Sequence, residues 1–145
     1  MWALLAWLAT GLGFGCVALP EGTDCTGGLP NQCAAEQMIW RDILGETGPA
    51  PPVAWVDETC NNQPGFEWGG RCLWGVHVWE PGGADAIQLV RRSWDQPIAT
   101  SAYTHELVHA HLLRRDPSSK GDPGHTAPIW GEVEGWQLAL SERGY

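Results

Sequence analysis

The stretch Tyr103-Thr104-His105-Glu106-Leu107-Val108-His109-Ala110-His111 holds an H-E-x-x-H pattern, which has chemical meaning only on a helix. Residues four apart on a helix stand one above the other on the same face. His105 and His109 are thereby placed to grip one metal ion between them. Glu106 is one step round the helix, beside such an ion rather than bound to it. Zinc suits imidazole nitrogen, which it takes at about 2.0–2.1 Å, and it favours four ligands. With three ligands from protein, the fourth position belongs to water, whose pKa falls to about 7. Glu106 is then placed as the general base that removes the water's proton.

The flanking residues agree with a helix. Asp95 and Pro97 make a good opening, an N-cap residue with proline in the first turn. Ile98, Ala102, His105, His109 and Leu112 recur at spacings of three or four, which predicts an inward-facing stripe that includes both histidines. Arg114 and Arg115 fall in the last turn, where positive charge suits the helix dipole. Asp116-Pro117 stops the helix.

A third ligand is needed. The metzincin continuation H-x-x-G-x-x-H fails, because Leu112 stands where the glycine is required. The next histidine able to return to the ion is His125, in Gly124-His125-Thr126-Ala127-Pro128-Ile129-Trp130. H-E-L-V-H-A-H-L followed by G-H-x-x-P-x-W resembles the core of the SprT-like zinc metallopeptidases over roughly residues 95–140, with Thr126-Ala127 where a single glycine is usual. The resemblance implies hydrolysis of a protein or peptide substrate, Zn2+ on His105, His109 and His125, and Glu106 as the base. It also implies a substrate extended along a sheet edge. A gluzincin-like site, with Glu132 or Glu134 from the last helix as third ligand, is the alternative. So is a closed, non-catalytic zinc site in which a glutamate joins the three histidines.

Residues 1–15 carry no charge and form an apolar run too short to span a bilayer comfortably. They read as a lipoprotein-type signal peptide lacking a basic n-region. Gly15-Cys16 resembles the end of a bacterial lipobox, with Gly13 in the usual leucine position; lipid on Cys16 would anchor the chain to a membrane, the outer membrane fitting best. Cleavage after Ala18 and an uncleaved buried helix are the other readings. Five cysteines are odd in number; without Cys16 there remain Cys25, Cys33, Cys60 and Cys72, which in an exported domain read as two disulfides. Pairing of nearest neighbours needs only short loops. A cysteine zinc site is excluded by the lack of any C-x-x-C pair.

The remainder divides into a Gly/Pro/Thr-rich tether over 16–31 and one domain over 32–145, enough for a single core. Net charge is −9, without a basic cluster larger than two, which excludes nucleic acid as a partner. The reading is of a monomer. Apolar spacing predicts a helix over 33–45, with Ala34, Met38, Ile39, Ile43 and Leu44 buried and Gly45 as the stop. Strands are predicted over 53–57, 71–79 and 86–90. Cys72, Trp74, Val76 and Val78 share one face of the second. A last helix is predicted over 127–142, with Thr126 as its cap and Pro128 in its first turn. The order gives an α+β, zincin-like fold: a small three-stranded sheet on the metal-binding helix, with one helix before and one after.

Most of the ten tryptophans read as packing residues. Trp130 is expected to pack under the metal loop, and Trp74 and Trp79 are the ones placed to line a groove or face a membrane. His77 is expected to be solvated or hydrogen-bonded rather than a ligand, and His111 to be solvated. Tyr103 is expected to point away from the site. Asp122 is expected to accept the second ring N–H of a ligand histidine, as carboxylates near metal sites commonly do.

Overall fold

The computed structural model describes residues 30–60, 72–83, 85–91 and 97–145. The expected signal peptide, nearly all of the tether, and Asp95 lie outside these residues. The first helix, α1 (Pro30–Ala35), begins inside the expected tether. It widens into π geometry over Glu36–Ile43. In a π-helix the turn closes on the fifth residue rather than the fourth, and side chains five apart pair accordingly. Gln37 Nε2 donates to Asp42 Oδ1 at 3.0 Å, and Arg41 Nη2 lies 3.6 Å from Glu36 Oε1. The wide turn changes the buried face predicted from α-helical spacing. Ala34, Ile39 and Leu44 are buried as expected, but Ala35 and Trp40 join them, while Ile43 is 40% exposed. Gly45, at φ +69°, provides the left-handed stop.

Three strands form a mixed sheet in the order β1 (Val53–Val56), β5 (Asp85–Val90), β4 (Gly75–Trp79). β1 runs parallel to β5, and β4 runs antiparallel to it, leaving β4 on one edge. The predicted second strand is broken at Trp74. Its first residues form β3 (Cys72–Leu73), which pairs with β2 (Thr59–Cys60) in a separate two-stranded ribbon. Along β4 the buried residues are Gly75 and His77, whereas Val76 and Val78 are half-buried.

The long helix α2 (Pro97–Arg115) is the centre of the fold. It packs on β4 and β5, on the first helix, and on α3 (Trp130–Glu142). Tyr103, Leu107 and Ala110 are fully buried and share one core with Ile39, Trp40, Ile87, Leu89 and Leu140. The most buried stripe of α2 is therefore this one. The stripe through Ala102, His105, His109 and Leu112 is only half-buried; Ala102 lies against Gly75 of β4, while His105 and His109 meet the loop that carries His125. The helix dictates this arrangement: with neighbours on several sides, α2 has no single apolar face. The architecture is mixed α and β, with three helices and a small three-stranded sheet.

α3 starts at Trp130, later than predicted, and Ile129 precedes it with no side-chain cap. Thr126 does not cap it; its hydroxyl donates to Asp122 Oδ1 at 2.9 Å.

Candidate metal centre

The helical spacing of four brings His105 and His109 to the same side of α2, with Nε2 atoms 3.2 Å apart. The chain then reverses through a tight loop. Asp116 caps a 3-10 turn (Pro117–Ser119) by accepting from Ser118 N–H at 2.9 Å. Lys120, Gly121, Asp122 and His125 all take positive φ, between 52° and 74°. Such a run of left-handed residues coils the loop against α2. Gly121 is required there: a Cβ at its position would lie 3.0 Å from the His109 carbonyl oxygen. The coil delivers His125, whose Nε2 lies 3.1 Å from that of His105 and 3.2 Å from that of His109.

Three nitrogens at these separations fit one small cation. With metal–nitrogen bonds of about 2.0–2.1 Å, the N–metal–N angles come to about 100°, near tetrahedral. Among the described residues no fourth histidine, cysteine or carboxylate belongs to this group. Glu132 and Glu134 are exposed in α3 and are not part of it.

The ring nitrogens are prepared for a cation. Burial lowers the pKa of His105 to about 4, with the neighbouring His109 and His125 adding to the effect. Burial likewise lowers His109 to about 4, against the opposing hydrogen bond to Gly121. His109 Nδ1 lies 2.6 Å from the Gly121 carbonyl oxygen. A carbonyl only accepts, so Nδ1 carries the proton and Nε2 of the neutral ring presents a lone pair. The partner of the His109 ring is thus a main-chain carbonyl, where the sequence suggested Asp122 for a ligand histidine.

Asp122 has a different task. Its carboxylate accepts from Ala127 N–H at 2.7 Å, Trp130 Nε1–H at 2.8 Å and Thr126 Oγ1–H at 2.9 Å. These donors, the Ala127 amide foremost, hold it well below the usual carboxylate range. It ties the His125 loop to the start of α3. Trp130 is held so that its ring centroid lies 4.8, 4.6 and 4.3 Å from those of His105, His109 and His125, agreeing with the expected packing against the metal loop.

Glu106 is 6% exposed, and its Oε2 accepts from the main-chain N–H of His77 at 2.8 Å. Burial pushes its pKa up to about 8, partly offset by that hydrogen bond. A nearby divalent cation acts in the opposite direction and favours the carboxylate.

The other histidines stand apart. His77 is buried, and its Nε2 lies 3.2 Å from Asp85 Oδ2. Burial lowers its pKa more than Asp85 raises it. His111 is not solvated as expected: its Nδ1 is 2.7 Å from Glu46 Oε1, tying α2 to the loop after the first helix. Tyr103 lies in the core, away from the three histidines in burial and face. The contact of His77 with Glu106 is a main-chain one, which no residue type announces.

Comparison with protein-family models, curated proteins and solved structures finds no match to this chain.

Proposed function

We propose that this chain is a zinc metallopeptidase of zincin-like, SprT-like character, with His105, His109 and His125 as ligands and Glu106 as general base. The observation that carries the reading is the convergence of three Nε2 atoms within 3.2 Å of one another, with a buried glutamate following the first of these histidines on the same helix. A zinc ion bound there supplies Lewis acidity toward a carbonyl and lowers the pKa of a coordinated water to about 7. The neutral rings hold the ion, and the Gly121 carbonyl and Trp130 orient them. Glu106 takes a proton from water and returns it to the departing amine. With three ligands among the described residues, a position is left for water, which favours catalysis over a closed structural site.

The substrate class is protein or peptide, laid as an added strand along the outer edge of β4, which has no paired strand among the described residues. The acidic balance argues against nucleic acid. We further propose export, removal of residues 1–15 and lipid on Cys16. No helix among the described residues is long and apolar enough to cross a membrane. Cys33 is disulfide-bonded, to a cysteine whose side chain lies outside the described ones. Cys60 and Cys72 stand opposite each other in the β2–β3 register, which is compatible with the bridge we propose between them.

Metal analysis of the purified protein, with hydrolysis of a broad protein mixture, tests the central reading. About one equivalent of zinc is expected, lost in His105→Ala and His125→Ala. Glu106→Gln should keep the zinc and lose hydrolysis. Full zinc in His125→Ala with loss in Glu132→Ala or Glu134→Ala would establish the gluzincin-like alternative. Mass spectrometry of the mature amino terminus tests export: diacylglyceryl on Cys16 supports the anchor, and retained Met1 with reduced cysteines removes it.

A further inference from the structure

Strand β4 is an outer strand of the sheet, with no further strand paired to it among the described residues, and alternate main-chain groups along it face away from β5. The pairing shows which ones. Val90 N–H donates to Trp74 O at 3.0 Å, toward β4, while Ile87 N–H donates to Pro52 O at 2.9 Å, on the β1 side. His77 stands opposite Ile87 in the register. It therefore belongs to the class of residues that do not bond to β5, and its N–H projects from the outer edge. Gly75 and Trp79 belong to the same class. The projecting N–H of His77 is the one that donates to Glu106 Oε2 at 2.8 Å.

Two features bring the strand close enough. A Cβ at Gly75 would lie 2.9 Å from Leu89 Cδ2 and 3.2 Å from Glu106 Cγ, so any side chain there would push the strand or these neighbours apart. The His77 side chain, 3% exposed, has its Nε2 3.2 Å from Asp85 Oδ2. Asp85 Oδ1 in turn lies 3.9 Å from Arg114 in the last turn of α2, and that guanidinium sits 4.6 Å over the Trp40 ring. The strand is thereby tied to α2 on both sides of the contact.

We propose that His77 is the positioning residue for Glu106: its main-chain N–H, at a strand height set by its ring on Asp85, holds Oε2 and leaves Oε1 to face the water beside the three histidines. The inference rests on the metallopeptidase reading above. Glu106 has three side-chain torsions, and an anchored oxygen removes most of their freedom before reaction, which is where misplacement is costly. The edge that receives a peptide also aims the base. Because the His77 N–H is already engaged, a docked peptide has the main-chain groups of Gly75 and Trp79 as its pairing partners on either side of the base.

The test uses the zinc-loaded protein for kinetics and amide hydrogen exchange for the contact. The His77 amide should be strongly protected in the wild type although it faces the outer edge, and Glu106→Ala should remove that protection. His77→Ala keeps the N–H and loses the clamp on Asp85; it should retain one zinc and a near-wild-type KM while kcat falls about tenfold or more. His77→Gln keeps a donor for Asp85 and should recover kcat to within about threefold of wild type. Asp85→Asn provides a second route to the same loss if His77→Ala fails to fold. An unprotected His77 amide overturns the contact, and an unchanged kcat in His77→Ala and Asp85→Asn overturns the positioning role. A wild type that hydrolyses nothing removes the metallopeptidase reading instead, while the exchange of His77 still reports the contact.

Discussion

His109 and Gly121 lock each other: the ring donates from Nδ1 to the Gly121 carbonyl at 2.6 Å, and the absent Gly121 side chain is what lets the loop lie against the His109 main chain. One hydrogen bond therefore fixes both the tautomer of a candidate ligand and the docking of the loop that brings the third ligand.

Gly121→Ala tests this. At φ +74°, with a Cβ 3.0 Å from the His109 oxygen, alanine is both strained and crowded. Stability should fall by about 1–3 kcal/mol, from the strained backbone alone. Zinc affinity should fall by about 10–100-fold, the usual effect of disturbing the partner of a ligand histidine. Thermal unfolding and a competition titration with a chromophoric chelator measure the two. Wild-type affinity in this variant would show that the His109–Gly121 bond does not shape the site.

Asp122→Ala removes the acceptor shared by Ala127, Thr126 and Trp130. The His125 loop should loosen while α2 stays intact, so zinc binding should weaken by about tenfold or more with little loss of helix content. Asp122→Asn keeps one acceptor oxygen and should lie between. An equal, complete unfolding of both variants, seen by circular dichroism, would assign Asp122 to the core rather than to the loop.

Acid should weaken the metal-free protein in a defined window. A histidine whose folded pKa lies below its unfolded value of about 6.5 binds fewer protons when folded. Its stabilising contribution is present above about pH 6.5 and is lost as pH falls toward the folded value. His105 and His109 are both lowered to about 4, and His77 is lowered as well. Glu106, raised to about 8, opposes this at the neutral end, because its folded form keeps a proton that the unfolded form has lost. Melting temperature should therefore change little near pH 7 and fall from about pH 6 to about pH 4, and more steeply with zinc present, since protons also displace the ion. A flat profile over that range would contradict the burial of these rings.

Trp40 should be the most sensitive core position tested by truncation. It is fully buried, its Nε1–H donates to the Gly48 carbonyl at 2.9 Å, and Arg114 lies over its ring. Trp40→Ala should cost about 3–5 kcal/mol in urea unfolding. Trp40→Phe keeps much of the apolar volume but leaves the Gly48 carbonyl without its donor, and should cost about 1–3 kcal/mol. A cost below about 1 kcal/mol for the alanine variant would show that the first helix is not part of the cooperative core.

The sequence made the three histidines and Glu106 visible because a spacing of four on a helix and a following G-H motif carry the information locally. The helices and strands were legible in order for the same reason, through apolar spacing. Trp40 was not, because its burial depends on a π-helical turn that α-helical spacing does not describe. The loop's organisation was not either: Asp122 has its partners at Thr126, Ala127 and Trp130, and Gly121 meets His109, through backbone angles that residue types only permit. The break at Trp74 escaped because residues 71–79 alternate acceptably as one strand.

The wide turns over Glu36–Ile43 set the angular phase between the two halves of the first helix. A π-helix advances about 80–85° per residue against 100° for an α-helix. Over eight residues the lag accumulates to more than a third of a revolution. Refolded as plain α-helix from a fixed Leu44, the same segment would swing Pro30–Ala35 round the axis by that amount, turning Ala35 out of the core. The segment works as an angular offset, and a one-residue deletion within it would be read first at Ala35, as loss of its place in the core.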